Sequence, residues 1–172
     1  MTLVRAIRRL AGLSAADRRL LLRAYLWLGA VDLALRVFGF QRVVASAPAP
    51  AGRAEATGPQ AIRRARWYAR RIASAARRHV LRARCLHRSL VLHHWLRREG
   101  LPSELCIGVM KENDALKAHA WVELDGQVVN DRPGAVAPFT PLTRTGRQPA
   151  TCALEPCTSW TGRAIKSDMW GA

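Results

Sequence analysis

The chain has 172 residues, 49% of them hydrophobic, and a formal net charge of +16. That suffices for one compact domain with a real core plus an appendage. Its most apolar stretch, residues 20–40, is broken by Arg23, Asp32 and Arg36, whereas crossing a bilayer wants about 20 nearly uncharged residues, so a transmembrane helix is excluded.

The charge favours polyanions such as nucleic acid, and acidic peptides or membrane surfaces, as partner classes. It consists mostly of arginine scattered along the chain, a pattern that codon bias alone can produce. The N-terminus is charged and lacks an uninterrupted apolar run with a small-residue cleavage site, so no secretory leader is expected. With no leader, Cys85, Cys106, Cys152 and Cys157 are expected as thiols in a reducing cytoplasm.

Ser14 followed by Asp17 forms a capping-box pattern and predicts a helix from about Ala15 to about Phe38. Leu21, Leu22, Tyr25, Leu26, Leu28, Leu33 and Leu35 surround so much of it that almost complete burial is expected. Peripheral contact with a membrane surface stays open for this segment. Residues 45–60, rich in Ala, Pro and Gly, read as a linker or exposed loop. A second helix is predicted over about Pro59 to Val80, where Ile62, Ala65, Ala69, Ile72 and Ala76 recur at helical spacing. Arginines lie between them, with Trp67 and Tyr68. Such a helix offers no groove or stacking platform for bases, so nucleic acid is not the expected partner.

The third helix starts at Cys85 or one residue earlier. Leu86, Leu90, Trp95 and Leu96 face inward, Arg97 and Arg98 suit its C-terminal dipole, and Gly100 then Pro102 stop it. A strand with Leu105, Ile107 and Val109 follows, then a polar K-E-N-D loop. The runs A-H-A-W-V-E-L and Q-V-V-N-D predict a hairpin around Asp125 and Gly126. Beyond Pro133 one last edge strand fits P-F-T-P-L. Residues 143–172 show no sustained period and read as a poorly ordered tail. The expected division is a helical region with linker over 1–58, a core over 59–142 and the tail over 143–172.

Three residues in this core carry chemistry in the order Cys, His, Asp. A cysteine attacks as its thiolate, and a helix N-terminus or a nearby imidazolium favours that form. Cys85 opens a helix, so unpaired backbone N–H groups face its sulfur and could hold a developing oxyanion. His119, on a strand, is the expected base, and Asp131 is expected to set its tautomer. Register makes this testable. A two-residue turn pairs Leu124 with Gln127 and puts His119 opposite Arg132. A bulged three-residue loop with Gly126 in the left-handed position pairs Glu123 with Gln127 and puts His119 opposite Asp131. The bulged loop is therefore expected. Singly, each residue has a plain structural reading; the joint pattern carries the argument.

Other candidates are weaker. His87, His93 and His94 lie on the helix of Cys85 without the paired spacing of a zinc site, and Cys152 and Cys157 lack a partner pair. No metal is expected. Cys106 reads as core, and no phosphate-binding loop is present, so no cofactor is expected.

The run from Cys85 to Val109, with that from Ala118 to Asp131, closely resembles the B2 leader peptidase family of lasso-peptide biosynthesis, part of the transglutaminase-like, papain-related superfamily. The resemblance covers about Leu81 to Leu142. It implies an α+β fold: a helical N-terminal region, then a core with the cysteine helix packed on a small antiparallel sheet. It implies a cysteine protease with Cys85, His119 and Asp131 as its triad, removing the leader from a ribosomally made precursor peptide. The implied partners are that precursor, a separate leader-binding protein of the B1 (RRE) type, and an asparagine-synthetase-like, ATP-using macrolactam synthetase. Any ATP requirement belongs to the assembled system. Two other readings compete: acyl transfer from the same thioester to an amine, as in transglutaminases, and a non-catalytic basic binding or scaffold protein.

Overall fold

A computed structural model describes residues 14–49, 58–80, 85–113 and 115–145. The expectations for the first residues, the middle of the linker, most of the tail, and Cys152 and Cys157 lie outside them. The elements are α1 (Ala15–Ala45), α2 (Pro59–Ala76), α3 (Cys85–Arg98), β1 (Glu104–Glu112), β2 (Ala115–Leu124), β3 (Gln127–Val128), a short α4 (Pro133–Val136) and β4 (Thr140–Arg144). The strands form one antiparallel sheet in the order β3-β2-β1-β4. The α+β expectation holds; the edge strand starts two residues later than expected and takes in Thr143 and Arg144, which were expected in the tail, because they pair with Ile107 and Cys106.

Local chemistry sets the helix ends. Ser14 Oγ accepts the Asp17 N–H at 3.1 Å, as the capping pattern required. Asp17 in turn pairs with Arg71 at 2.9 Å, tying α1 to α2. Pro59 opens α2, and the N–H before it, on Gly58, donates to the Asp125 carboxylate at 2.8 Å. At the end of α3, Gly100 has φ 79°, its N–H bonds the Arg97 carbonyl, and the Leu101 N–H bonds the Leu96 carbonyl. That is the paired closure that a left-handed glycine allows.

α1 runs seven residues past its expected end. Its residues up to Phe38 are regular, but Gly39 is non-helical (φ 77°, ψ 167°), a conformation almost confined to glycine. The helix kinks there and a second limb continues to Ala45. The sequence pattern therefore located the break but not the continuation.

One core joins the three long helices to one face of the sheet. Leu28 of α1, Ile72 of α2 and Leu90, Leu92 and Leu96 of α3 pack with Leu105, Val122 and Leu124 of the strands. The opposite face holds a smaller cluster of Cys106, Trp121 and Val136, with Val128 and Phe139 against it. β1 and β2 pair without interruption up to Glu112 and Ala115, so the K-E of the expected polar loop is strand.

The expected near-complete burial of α1 is not found. Leu22, Leu26, Leu33 and Val37 are each about 60% exposed, because α2 and α3 cover only the face carrying Leu20, Ala24, Leu28 and Val31. A composition that is apolar all round does not say how many neighbours arrive to cover it.

Histidines tie the helices together. His79 contacts the Tyr25 carbonyl at 3.1 Å, His87 the Asp32 carboxylate at 3.1 Å and His94 the Val43 carbonyl at 2.9 Å. His93 is 1% exposed, beside Ser103 Oγ at 3.1 Å, and burial, with Arg97 and His94 nearby, holds its pKa down at about 3. An unfolded chain protonates His93 near pH 6.5, whereas the folded one resists, so stability is complete above 6.5 and falls with acid towards pH 3. Urea unfolding should show His93 contributing a loss on the order of 2–3 kcal/mol between pH 6.5 and 4.5, absent in a folded His93→Gln protein.

Candidate active site

The β2–β3 connection departs from the expected bulged loop. Leu124 pairs with Gln127 and Glu123 with Val128, leaving a two-residue turn of Asp125 (φ 51°) and Gly126 (φ 71°). Both residues have positive φ, the type I′ turn that Asp-Gly suits. The expectation placed only Gly126 in the left-handed region, although aspartate also tolerates it. In this register, a regular ladder would have put Asp131 on the face away from His119.

The ladder is not regular. Its last backbone bond runs from the Val129 N–H to the Val122 carbonyl at 3.0 Å. The next donor, the Val122 N–H, is taken at 2.8 Å by the side chain of Asn130 instead of by backbone. The chain leaves the sheet there, and Asp131 comes round to His119, with Oδ2 and Nε2 2.8 Å apart. The other oxygen, Oδ1, accepts the Arg132 N–H at 2.8 Å, which fixes the carboxylate.

The early end of β3 also exposes the edge of β2, and the first turns of α3 occupy it. The Ala120 carbonyl accepts from Ser89 Oγ at 2.8 Å. Ser89 Oγ also receives a bond from Asn130 Nδ2 at 2.8 Å. The Ala120 N–H faces the Cys85 sulfur, as does the Leu86 N–H at the start of the helix. Cys85 therefore sits half-buried at the sheet edge, within hydrogen-bonding reach of His119.

Electrostatics favour the ion pair. Burial pushes the Cys85 thiol up, but the His119 hydrogen bond and the Ala120 and Leu86 N–H groups more than offset this and hold it below its ordinary value. The hydrogen bond to Cys85 raises His119 above its ordinary value against desolvation, and Asp131 adds to the rise. Because Nε2 is bound to Asp131, Nδ1 is left for the sulfur. The imidazole lies 5.2 Å from the Phe139 ring and stacks at 19° with Trp121, 6.3 Å away.

A thiol at a helix start, a strand imidazole and a carboxylate just beyond the hairpin thus lie within one site. The sequence profile of the transglutaminase-like superfamily matches residues 25–144, most of the chain. The chain belongs to the transglutaminase-like superfamily. No curated protein and no solved structure gives a significant match. The superfamily match includes the greater part of α1, which shares its core with α2 and α3. The superfamily supports a fold of the cysteine protease or acyltransferase type.

The remaining candidates have other surroundings in the structure. Cys106 is fully buried in β1, in the small cluster with Trp121 and Val136, and burial, with Glu123 adding, pushes its thiol up to about 12. His87, His93 and His94 serve helix packing.

Sequence reading passed over Ser89, Asn130 and Gly108. Ser89 stands four residues after Cys85, on the same helical face, and that spacing was the available signal. Asn130 looked like an ordinary strand residue. Gly108 pairs with His119, and a Cβ on it would come within 2.9 Å of both the Thr140 carbonyl oxygen and the Trp121 ring. A glycine inside a strand marks such a close approach.

Ser89→Ala should remove the partner of the Ala120 carbonyl and of Asn130 Nδ2 and lower the unfolding free energy by about 1–3 kcal/mol, read by denaturant melts. Iodoacetamide should alkylate Cys85 at a rate whose midpoint lies at lower pH than a free thiol's, and Asp131→Asn should bring the titration of His119 to lower pH.

Proposed function

We propose that the chain is a cysteine peptidase that removes the leader from a ribosomally made lasso-peptide precursor. The observation that carries the peptidase reading is the His119–Asp131 pair at 2.8 Å beside a helix-start thiol held below its ordinary value. The precursor as substrate rests on the resemblance of the Cys85–Val109 and Ala118–Asp131 runs to the B2 family.

The Cys85 thiolate attacks the scissile carbonyl carbon, and the oxygen that gains charge lies near the helix-start N–H groups. The His119 imidazolium gives its proton to the departing amine as the C–N bond breaks, leaving a thioester on Cys85. His119 then takes a proton from water, hydroxide adds to the thioester, and the acid leaves as the C–S bond breaks. The thiolate and the imidazolium are restored. Asp131 stays ionised and holds the ring throughout. β3 covers only the inner end of β2, so the outer half has no neighbouring strand on that side among the described residues, an edge that an extended peptide can pair with.

Superfamily membership also favours a second reading, acyl transfer from the thioester to an amine. The separate leader-binding protein and the ring-closing synthetase are proposed partners on the same resemblance.

Incubation with a lasso-peptide precursor, together with a leader-binding protein of the B1 type, should yield free leader and core by mass. Cys85→Ala should abolish the product while keeping the circular dichroism spectrum, and His119→Ala should slow it by about 10²–10⁴-fold. Retained cleavage by folded Cys85→Ala would overturn the peptidase reading. An amine adduct in place of the free acid, when a primary amine is added, would decide for transfer.

A further inference from the structure

The kink at Gly39 has a second consequence. It carries Arg42 and Val43 over the C-terminal end of α3, where His94 contacts the Val43 carbonyl at 2.9 Å. Between the two helices lies a cavity of about 470 Å³, within the usual range for ligand sites. Trp27, Ala34, Phe38 and Val43 form its apolar walls, and Arg42 and Arg98 are part of its lining.

The two arginines are exposed, and neither has a carboxylate partner among the described residues. Arg98 lies over the Trp27 ring, 4.6 Å from its centroid. Arg36, Arg64, Arg71 and Arg144, in contrast, each pair with an acidic residue. The cavity thus joins an apolar interior to positive charge that no carboxylate among the described residues pairs with. Beside it on α1 runs the bare stripe of Leu22, Leu26, Leu33 and Val37. From the helical rise that stripe is about 22 Å long, more than a small amphiphile would cover. A bilayer offers a plane and does not fill a concave site between helices.

We infer that the α1–α3 cavity is a binding site for an acidic peptide segment that seats a large apolar side chain between Trp27 and Val43 and places carboxylates on Arg42 and Arg98. It lies at the opposite end of α3 from Cys85, about 20 Å away by the helical rise. The site goes beyond the peptidase reading, since binding there requires no cleavage.

The test uses the full chain with Cys85→Ala and a fluorescein-labelled decapeptide of alternating Leu and Glu, followed by polarisation. Deca-Glu and an alternating Leu/Gln decapeptide serve as controls. The Leu/Glu peptide should bind at least tenfold tighter than either control. Arg42→Glu with Arg98→Glu should weaken it at least tenfold, and so should Ala34→Trp, which fills the cavity. Each variant is first checked for an unchanged circular dichroism spectrum; if Ala34→Trp fails to fold, the charge reversal decides. Equal binding of deca-Glu would reduce the site to general polyanion attraction and overturn the proposal. Equal binding of Leu/Gln, or undiminished binding by the folded charge-reversal protein, would overturn it too. Competition by dodecanoate as strong as by unlabelled peptide, or capture by phosphatidylglycerol vesicles in place of peptide, would assign the surface to a lipid instead. Binding is read without turnover, so an inactive Cys85 protein and an empty cavity give different results.

Discussion

At the inner end of β2, the Val122 N–H donates to the side chain of Asn130 where a regular hairpin would offer it a backbone carbonyl. The rest of the candidate site depends on that substitution. It stops β3 after Val128, turns the chain out of the sheet and brings Asp131 to His119. It also leaves the Ala120 N–H and carbonyl unpaired by any strand. Buried backbone groups must find partners, and here α3 supplies them through Ser89 and Cys85. The helix is thereby docked at one place on the sheet edge, with its first residue against the strand histidine.

This docking makes the thiol's environment self-consistent. Burial alone would keep Cys85 protonated. Three groups oppose it, the His119 imidazole and the N–H groups of Ala120 and Leu86, and each is aimed by backbone that is itself held. Asp131 acts one step further out, bonding Nε2 of the ring while Arg132 N–H holds its other oxygen. Trp121 and Phe139 flank the ring, and the absence of a side chain at Gly108 lets Trp121 lie close to β1 and β4. Groups held in this way are already in place to draw the thiol towards its thiolate form.

The other end of α3 is organised on different terms. There the backbone irregularity is Gly39, and it folds a second limb of α1 over His94. The chain excess of positive charge is not spread evenly in its consequences. Where α2 and the sheet meet acidic residues, arginines are paired; around the α1–α3 cavity, Arg42 and Arg98 have no carboxylate partner among the described residues. One helix thus carries the candidate thiol, Cys85, at its start and a charged apolar recess at its end.

Much of this was legible in the residues. Ser14 and Asp17 marked the start of α1, Gly100 the end of α3, Asp-Gly the hairpin, and Cys85, His119 and Asp131 the candidate site, because caps, turns and candidate site residues depend on residues close in sequence or on residue type alone. The turn type was misjudged because Asp125 can also take positive φ. What brings Asp131 to His119 could not be read at all. It requires a side chain, Asn130, to displace a backbone acceptor, and it depends on Ser89 arriving from 41 residues away to hold that side chain. Likewise, the leucines of α1 announced an apolar helix, but which of them are covered depended on how many helices packed against it. The sequence by itself determined the α+β order, the helix caps and the three side chains that meet in the candidate site, since these follow from local propensity and residue type. Only the tertiary structure decided the register break, the sheet-edge docking of Cys85 and the bare face of α1, because each turns on competition between distant groups for the same hydrogen bond or the same surface.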